Sequence, residues 1–162
     1  MDIVFNLLCL PLAFIYGALA EWILHKYVLH GLGKKKGNLF SFHWHIHHKE
    51  CRKNRNYDMN YLKSPRPPAV RKEKLSLVLL VLVHLPFLFV VPYFFFGLIA
   101  FAFRYFYYHR RSHIDIKWGR KNIPWHYDHH MGKNQDANYG VTFEWVDKLF
   151  KTRIKYFKED QK

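Results

Sequence analysis

Acidic residues are scarce in this chain of 162 residues, 12 against 26 Lys and Arg, and the stretch from Leu75 to Phe103 carries no charge at all. Cysteine is nearly absent. Cys9 lies in an apolar run and Cys51 in a basic one, which excludes a disulfide framework and leaves both as free thiols. The chain has no internal repeat and no low-complexity tail. A cleaved signal peptide is the rival reading of the first apolar run, but the positive amino-terminal region it needs is missing, because Asp2 is acidic.

What is present pulls in two directions: 50% hydrophobic and 19% aromatic residues alongside a net charge of +14. A basic nucleic-acid binder does not normally spend so many residues on Phe, Leu and Val. Segregation resolves the conflict. Of the 26 Lys and Arg, 12 fall between Gly31 and Lys74, 13 fall from Arg104 onward, and the remaining one is Lys26.

The first apolar stretch, Ile3 to Ala20, is close to the ~20 residues a spanning helix needs. The second, Leu75 to Phe103, would make a single helix of about 43 Å, well beyond a ~30 Å hydrocarbon core. Two crossings joined by a hairpin near Val90 to Phe94 fit better, with Pro86, Pro92 and Gly97 as places to break. Both flanking basic segments then lie on the cytoplasmic side. Some of that charge can hold acidic lipid headgroups, against Lys34-Lys35-Lys36 and the run from Lys49 to Arg55. Ser64-Pro65-Arg66-Pro67-Pro68 reads as a stiff connector. The expectation is therefore one all-α, multi-pass membrane domain over 1–162, with about three crossings near 3–20, 75–90 and 93–108. Segments 25–74 and 109–162 form a cytoplasmic helical cap. No nucleic-acid partner is needed to explain the charge.

The chain has 12 histidines, and only His84 lies inside an apolar stretch. The others fall in four groups: His25 and His30; His43, His45, His47 and His48; His109 and His113; His126, His129 and His130. The topology brings all four groups to the cytoplasmic face. Residues three or four apart share a helix face, so His43 with His47, His109 with His113, and His126 with His129 and His130 can each aim at one point. His25 and His30, five apart, diverge by about 140° on a straight helix. That pair needs the helix to end, and Gly31-Leu32-Gly33 offers the place. Trp22, Trp44, Trp118 and Trp125 read as interfacial anchors, and Arg52, Lys53 and Arg55 as facing solvent or headgroups. Aromatic runs such as Phe94-Phe95-Phe96 and Arg104-Tyr105-Phe106-Tyr107-Tyr108 suit either an interfacial belt or the wall of a slot for an alkyl chain.

The series His25-Lys-Tyr-Val-Leu-His30, His43-Trp-His-Ile-His47-His48, His109-Arg-Arg-Ser-His113 and His126-Tyr-Asp-His129-His130, followed by Asn138-Tyr-Gly-Val-Thr-Phe-Glu-Trp-Val-Asp-Lys-Leu-Phe150, resembles the fatty acid hydroxylase and sterol desaturase superfamily of integral-membrane diiron oxidases. The second box departs from the family's spacing, and either His43 or His45 can serve as its first ligand. The resemblance implies a metal-ligand set of His25, His30, His43 (or His45), His47, His48, His109, His113, His126, His129 and His130. Two iron ions, with dioxygen as co-substrate, would hydroxylate or desaturate a lipid. Imidazoles alone suit iron, copper, zinc or nickel, so zinc is a possible substitute. Carboxylates near in sequence, Asp128 and Asp136 foremost and also Glu50 and Asp58, are candidates to orient the rings. The chain carries no electron-carrier domain, which implies a separate donor of the cytochrome b5 or ferredoxin kind. The membrane would be the bacterial inner membrane or the endoplasmic reticulum, with the site facing the cytoplasm. The alternatives are a non-catalytic zinc-binding membrane protein and a metal transporter, which would place ligands along a path through the bilayer.

Overall fold

The computed structural model describes residues 3–157. Helix α1 spans Ile3–Ile23 and runs on without a break into a π-helical segment, Leu24–Leu32. A second π-helical segment, His43–His48, leads into α2 (Lys49–Lys53), and a 3-10 turn follows at Met59–Tyr61. Then come α3 (Pro68–Val83), α4 (Phe87–Val90), α5 (Pro92–Ile114), α6 (Ile116–Asn122), α7 (Pro124–Met131) and α8 (Trp145–Leu149). No strand occurs among the described residues.

The boundaries follow local chemistry. Proline opens α3, α5 and α7, where its fixed φ suits the first turn and its missing N–H costs nothing. Asp115 caps α6 by accepting from the Trp118 amide at 3.0 Å. The hairpin expected from the long uncharged run breaks at His84 and again at Val91, on either side of the single turn α4.

Helix α1 packs along α5 through small residues. A Cβ added at Gly17 would come within 2.6 Å of the Phe101 ring, and one at Gly97 within 2.6 Å of the Ala13 Cβ. Such positions let two apolar helices approach closely. The core beside this crossing joins Ala18 and Trp22 of α1, Phe101 of α5, and Tyr139 and Val146 of the closing segment. Trp22 is thus no interfacial anchor: it is 4% exposed and its indole N–H donates to Asp147 and Thr152.

One helix among the described residues, Val4–Leu32, is long and apolar enough to cross a membrane. It is longer than the 3–20 expected, because the polar residues after Ala20 stay helical. Helix α3 has 16 residues, about 24 Å, and starts before the uncharged run instead of at its edge. Helix α5 extends past 108 to carry His109 and His113. Large apolar side chains face outward on all of these helices, among them Leu12, Val83, Phe89 and Phe103.

Candidate metal centre

The π-helical turn is where the site begins. Its hydrogen bonds run from i to i+5, as the Gly33 amide does to the Val28 carbonyl at 2.9 Å, so residues five apart come to lie one above the other. His25 and His30 therefore share a face, with ring centroids 5.0 Å apart. The helix does not end at Gly31-Leu32-Gly33 to unite them; it widens. The second π-helical segment does the same for His43, whose ring lies 4.7 Å from His48 and 5.4 Å from His47.

All ten histidines His25, His30, His43, His47, His48, His109, His113, His126, His129 and His130 are buried, none more than 4% exposed. Ligand atoms of His25, His30, His43, His48 and His129 lie within 4.8 Å of one another. Those of His109, His113, His126 and His130 form a second group, which His47 and the Cys51 thiol extend through His113 and His130. The two groups touch where the His48 and His130 rings stand 4.3 Å apart. His45 is elsewhere: its Nε2 meets the Lys34 carbonyl at 2.9 Å, so His43 is the member of that box inside the cluster. His43 and His47, expected to aim at one point, belong to different groups, and His129 is likewise separated from His126 and His130.

The outer nitrogens explain how the rings are aimed. Nδ1 of His25 donates to the Tyr139 carbonyl at 2.5 Å, that of His129 to the Ala137 carbonyl at 2.6 Å, and that of His113 to the Asn56 carbonyl at 2.9 Å. Three carboxylates do the same: Asp136 with His30 at 3.1 Å, Asp58 with His47 at 2.8 Å, and Glu73 with His109 at 2.6 Å. A carbonyl or carboxylate oxygen can only accept, so the proton of each neutral ring is on Nδ1 and a lone pair is left on Nε2. Nε2 of His30, His47 and His109 and both nitrogens of His130 are buried without a partner.

Elsewhere the inner nitrogens crowd together. Nε2 atoms are 3.0 Å apart in His25 and His43, 3.1 Å in His43 and His48, 3.2 Å in His48 and His129, and 3.0 Å in His113 and His126. Two imidazoles bound at ~2.1 Å and about 90° to each other around one metal would have nitrogens ~3.0 Å apart. The donor set thus fits metal ions, by its orphaned lone pairs and by its spacing.

Electrostatics agree. Burial, reinforced by neighbouring imidazoles, holds His43, His48, His113, His126 and His130 well below the ordinary imidazole range, and burial pulls His129 down to about 4. These rings are neutral at pH 7, the form that binds metal. His47 is the exception: burial opposes its charge, but Cys51 and the Asp58 carboxylate beside it outweigh that and raise it to about 10, so this ring must give up its Nε2 proton to bind metal. Glu73 is a carboxylate below its usual range because His109 and the Tyr61 hydroxyl, which donates to it at 2.8 Å, outweigh its burial.

Of the carboxylates expected to orient rings, Asp136 and Asp58 do so. Asp128 does not: it pairs with Arg153 at 2.8 Å and accepts from the Tyr156 and Phe157 amides. Glu50 accepts from the Asn54 amide group instead. Arg52, expected to face solvent or headgroups, donates to the carbonyls of His130 and Gly132. Glu73 was missed, although a lone carboxylate in Arg71-Lys72-Glu73-Lys74, one turn before an uncharged run, is a signal. The backbone carbonyls left no mark in the sequence. The Tyr139 one is aimed by the buried Asp147, which accepts from the Tyr139 and Gly140 amides at 2.8 and 2.7 Å, and the half-buried Glu21 accepts from the Val141 and Thr142 amides that follow.

An apolar cavity of about 430 Å³ lies between α1, α3 and α5 and ends on His25, His43, His47 and His109. At its other end stand Tyr16 and His84.

The sequence model of one protein family, described as fatty acid hydroxylase, matches residues 10–152. No curated protein and no solved structure matches the chain.

Proposed function

We propose that this chain, which belongs to the fatty acid hydroxylase family, is a multi-pass membrane oxidase that uses two histidine-held iron ions and dioxygen to oxidise a lipid tail. The observation that carries the reading is the meeting of two features. Ten buried imidazoles form two adjoining clusters, the second with Cys51 beside His47, and an apolar cavity reaches their rim. His25, His30, His43, His48 and His129 would hold one metal, and His47, His109, His113, His126 and His130 the other. Bound iron would supply dioxygen activation and removal of hydrogen from an unactivated carbon, for which redox-inert zinc offers no route.

The protein's own part is to position and to exclude. Asp58, Glu73 and Asp136 fix the tautomer of His47, His109 and His30 and raise their basicity. The carbonyls of Asn56, Ala137 and Tyr139 fix three more rings without adding charge. The apolar walls keep water from the rim and accept an alkyl chain, whose near carbon lies against His25, His43, His47 and His109. Hydroxylation and desaturation both begin with loss of hydrogen from that carbon.

The reading takes α1 as one crossing and α3, α4 and α5 as a hairpin, supported by their apolar outward faces. Arg and Lys cluster at the histidine end, which supports a cytoplasmic location for that end. Electrons come from a separate carrier, of the cytochrome b5 or ferredoxin kind. A metal transporter would need ligands through the bilayer, and His84 alone lies within an apolar stretch.

The test is lipid profiling of cells with and without the gene and with His129→Ala. A lipid heavier by one oxygen or lighter by two hydrogens, present with the wild type and absent with the variant, is expected. Identical profiles in all three would overturn the reading.

A further inference from the structure

The cavity has two ends, and the far one carries a histidine that the metal site does not use. The cavity lining extends from Tyr16 past His25 to Leu29, from His84 at the end of α3 back past Glu73 to Ala69, and along α5 from Leu98 to His109. From the far end to His25, Glu73 and His109 these are runs of nine to eleven residues, roughly 14 to 16 Å at ~1.5 Å per residue. That is half of a ~30 Å hydrocarbon core, the depth of one leaflet.

A polar pair stands at the far end, with Tyr16 42% exposed. Nδ1 of His84 donates to the Leu80 carbonyl at 2.7 Å, which leaves the Nε2 lone pair to accept from the Tyr16 hydroxyl at 2.8 Å. The pair uses the Tyr16 proton and both His84 nitrogens, so no donor is left for a ligand and the surface they offer suits a methyl end. Aromatic rings back the pair: Tyr16 meets Phe94 at 5.7 Å, Phe94 meets Phe87 at 5.3 Å, and Phe87 stacks on His84 at 6.0 Å. An ionisable residue inside an apolar stretch is costly and asks for a reason. Here it ties α1 to the end of α3.

We infer that the Tyr16–His84 pair is the floor of the lipid slot and sets how long a tail the site accepts. This rests on the cavity being that slot. An extended chain gains ~1.2 Å per skeletal bond, as three bonds give at most ~3.6 Å per residue in a polypeptide, so about 12 to 13 carbons fit between cluster and floor. A chain oxidised near its polar end therefore has a limit of roughly 13 to 16 carbons.

The experiment measures competition between saturated fatty acids of about ten to twenty carbons and a fluorescent fatty acid on the purified full chain. Beyond the limit, affinity for the wild type falls at least tenfold. Tyr16→Ala and His84→Ala raise the limit by about two to four carbons, and Tyr16→Trp lowers it by about two. Leu12→Ala, on the outward face of α1, leaves it unchanged. The opposite shift with Trp is one that a loss of folding cannot imitate. A limit that does not move in the Tyr16 and His84 variants, or binding without any limit, overturns the floor while the slot stands. Absence of competitive binding in every variant overturns both.

Discussion

Replacing Glu73 by Gln separates the metal site from the fold. The carboxylate is buried, accepting from His109 Nδ1 at 2.6 Å and from Tyr61 at 2.8 Å. A Gln of the same shape keeps an acceptor for His109 but turns a charge-assisted bond into a neutral one, a loss of about 1 to 1.5 kcal/mol. Ring orientation and basicity at a metal ligand respond more strongly: changing such a partner typically costs ~10–100-fold in metal affinity, about 1.4 to 2.7 kcal/mol. Without metal the sign differs, because the variant no longer buries a charge, and its stability should match the wild type within about 1 kcal/mol. Glu73→Ala is the harsher control. It leaves the His109 and Tyr61 donors unmatched and destabilises the fold with or without metal, by about 1 to 3 kcal/mol for each. The assay is iron retention against a graded chelator, paired with thermal unfolding of metal-free protein. Wild-type retention by Glu73→Gln would refute the reasoning.

Other consequences follow from the same geometry. His43→Ala should lower metal retention severely while His45→Ala leaves it unchanged, read by metal analysis of the two purified variants side by side. The metal-free protein should lose stability as pH falls below about 6.5, since rings held neutral by burial bind protons on unfolding. Each such ring costs about 1.4 kcal/mol per pH unit until its folded value is reached, about 4 for His129, so several together can unfold the protein near pH 5. Urea midpoints that stay flat from pH 7 to about 5 would contradict this. Asp147→Ala frees the Tyr139 and Gly140 amides and should destabilise by about 2 to 4 kcal/mol, lowering metal retention with it; a change in unfolding midpoint equal to that of an exposed site would count against it.

The ordered histidine groups were legible in the sequence because metal ligation needs particular side chains at particular spacings. The break between α3 and α5 was legible because proline marks it. Where the reading failed, the deciding interaction left little trace in residue identity. His25 and His30 stand five apart, which a regular α-helix separates, and the turn widened to unite them instead. His126 and His129 share a spacing but serve different groups: the His129 Nε2 lies against that of His48 and the His126 Nε2 against that of His113. Asp128 sits beside His129 in sequence, yet its carboxylate turns away to Arg153, while Glu73, 36 residues from His109, reaches that ring. Proximity along the chain was a poor guide to which carboxylate faces which imidazole. Three of the orienting groups are main-chain carbonyls, and the buried Asp147 that aims the Tyr139 one looks in sequence like an ordinary helix residue. Among the long helices, α1 declares itself a candidate crossing by length and composition, whereas α5 mixes tyrosine and arginine into its second half.

Metal content of the full-length protein purified from iron-replete cells tests the central claim most directly. The account predicts about two irons per chain, one for each histidine cluster, with His43→Ala and His130→Ala each reducing that number. A protein that is folded by its thermal transition yet carries no metal, or holds only zinc under those conditions, would contradict it.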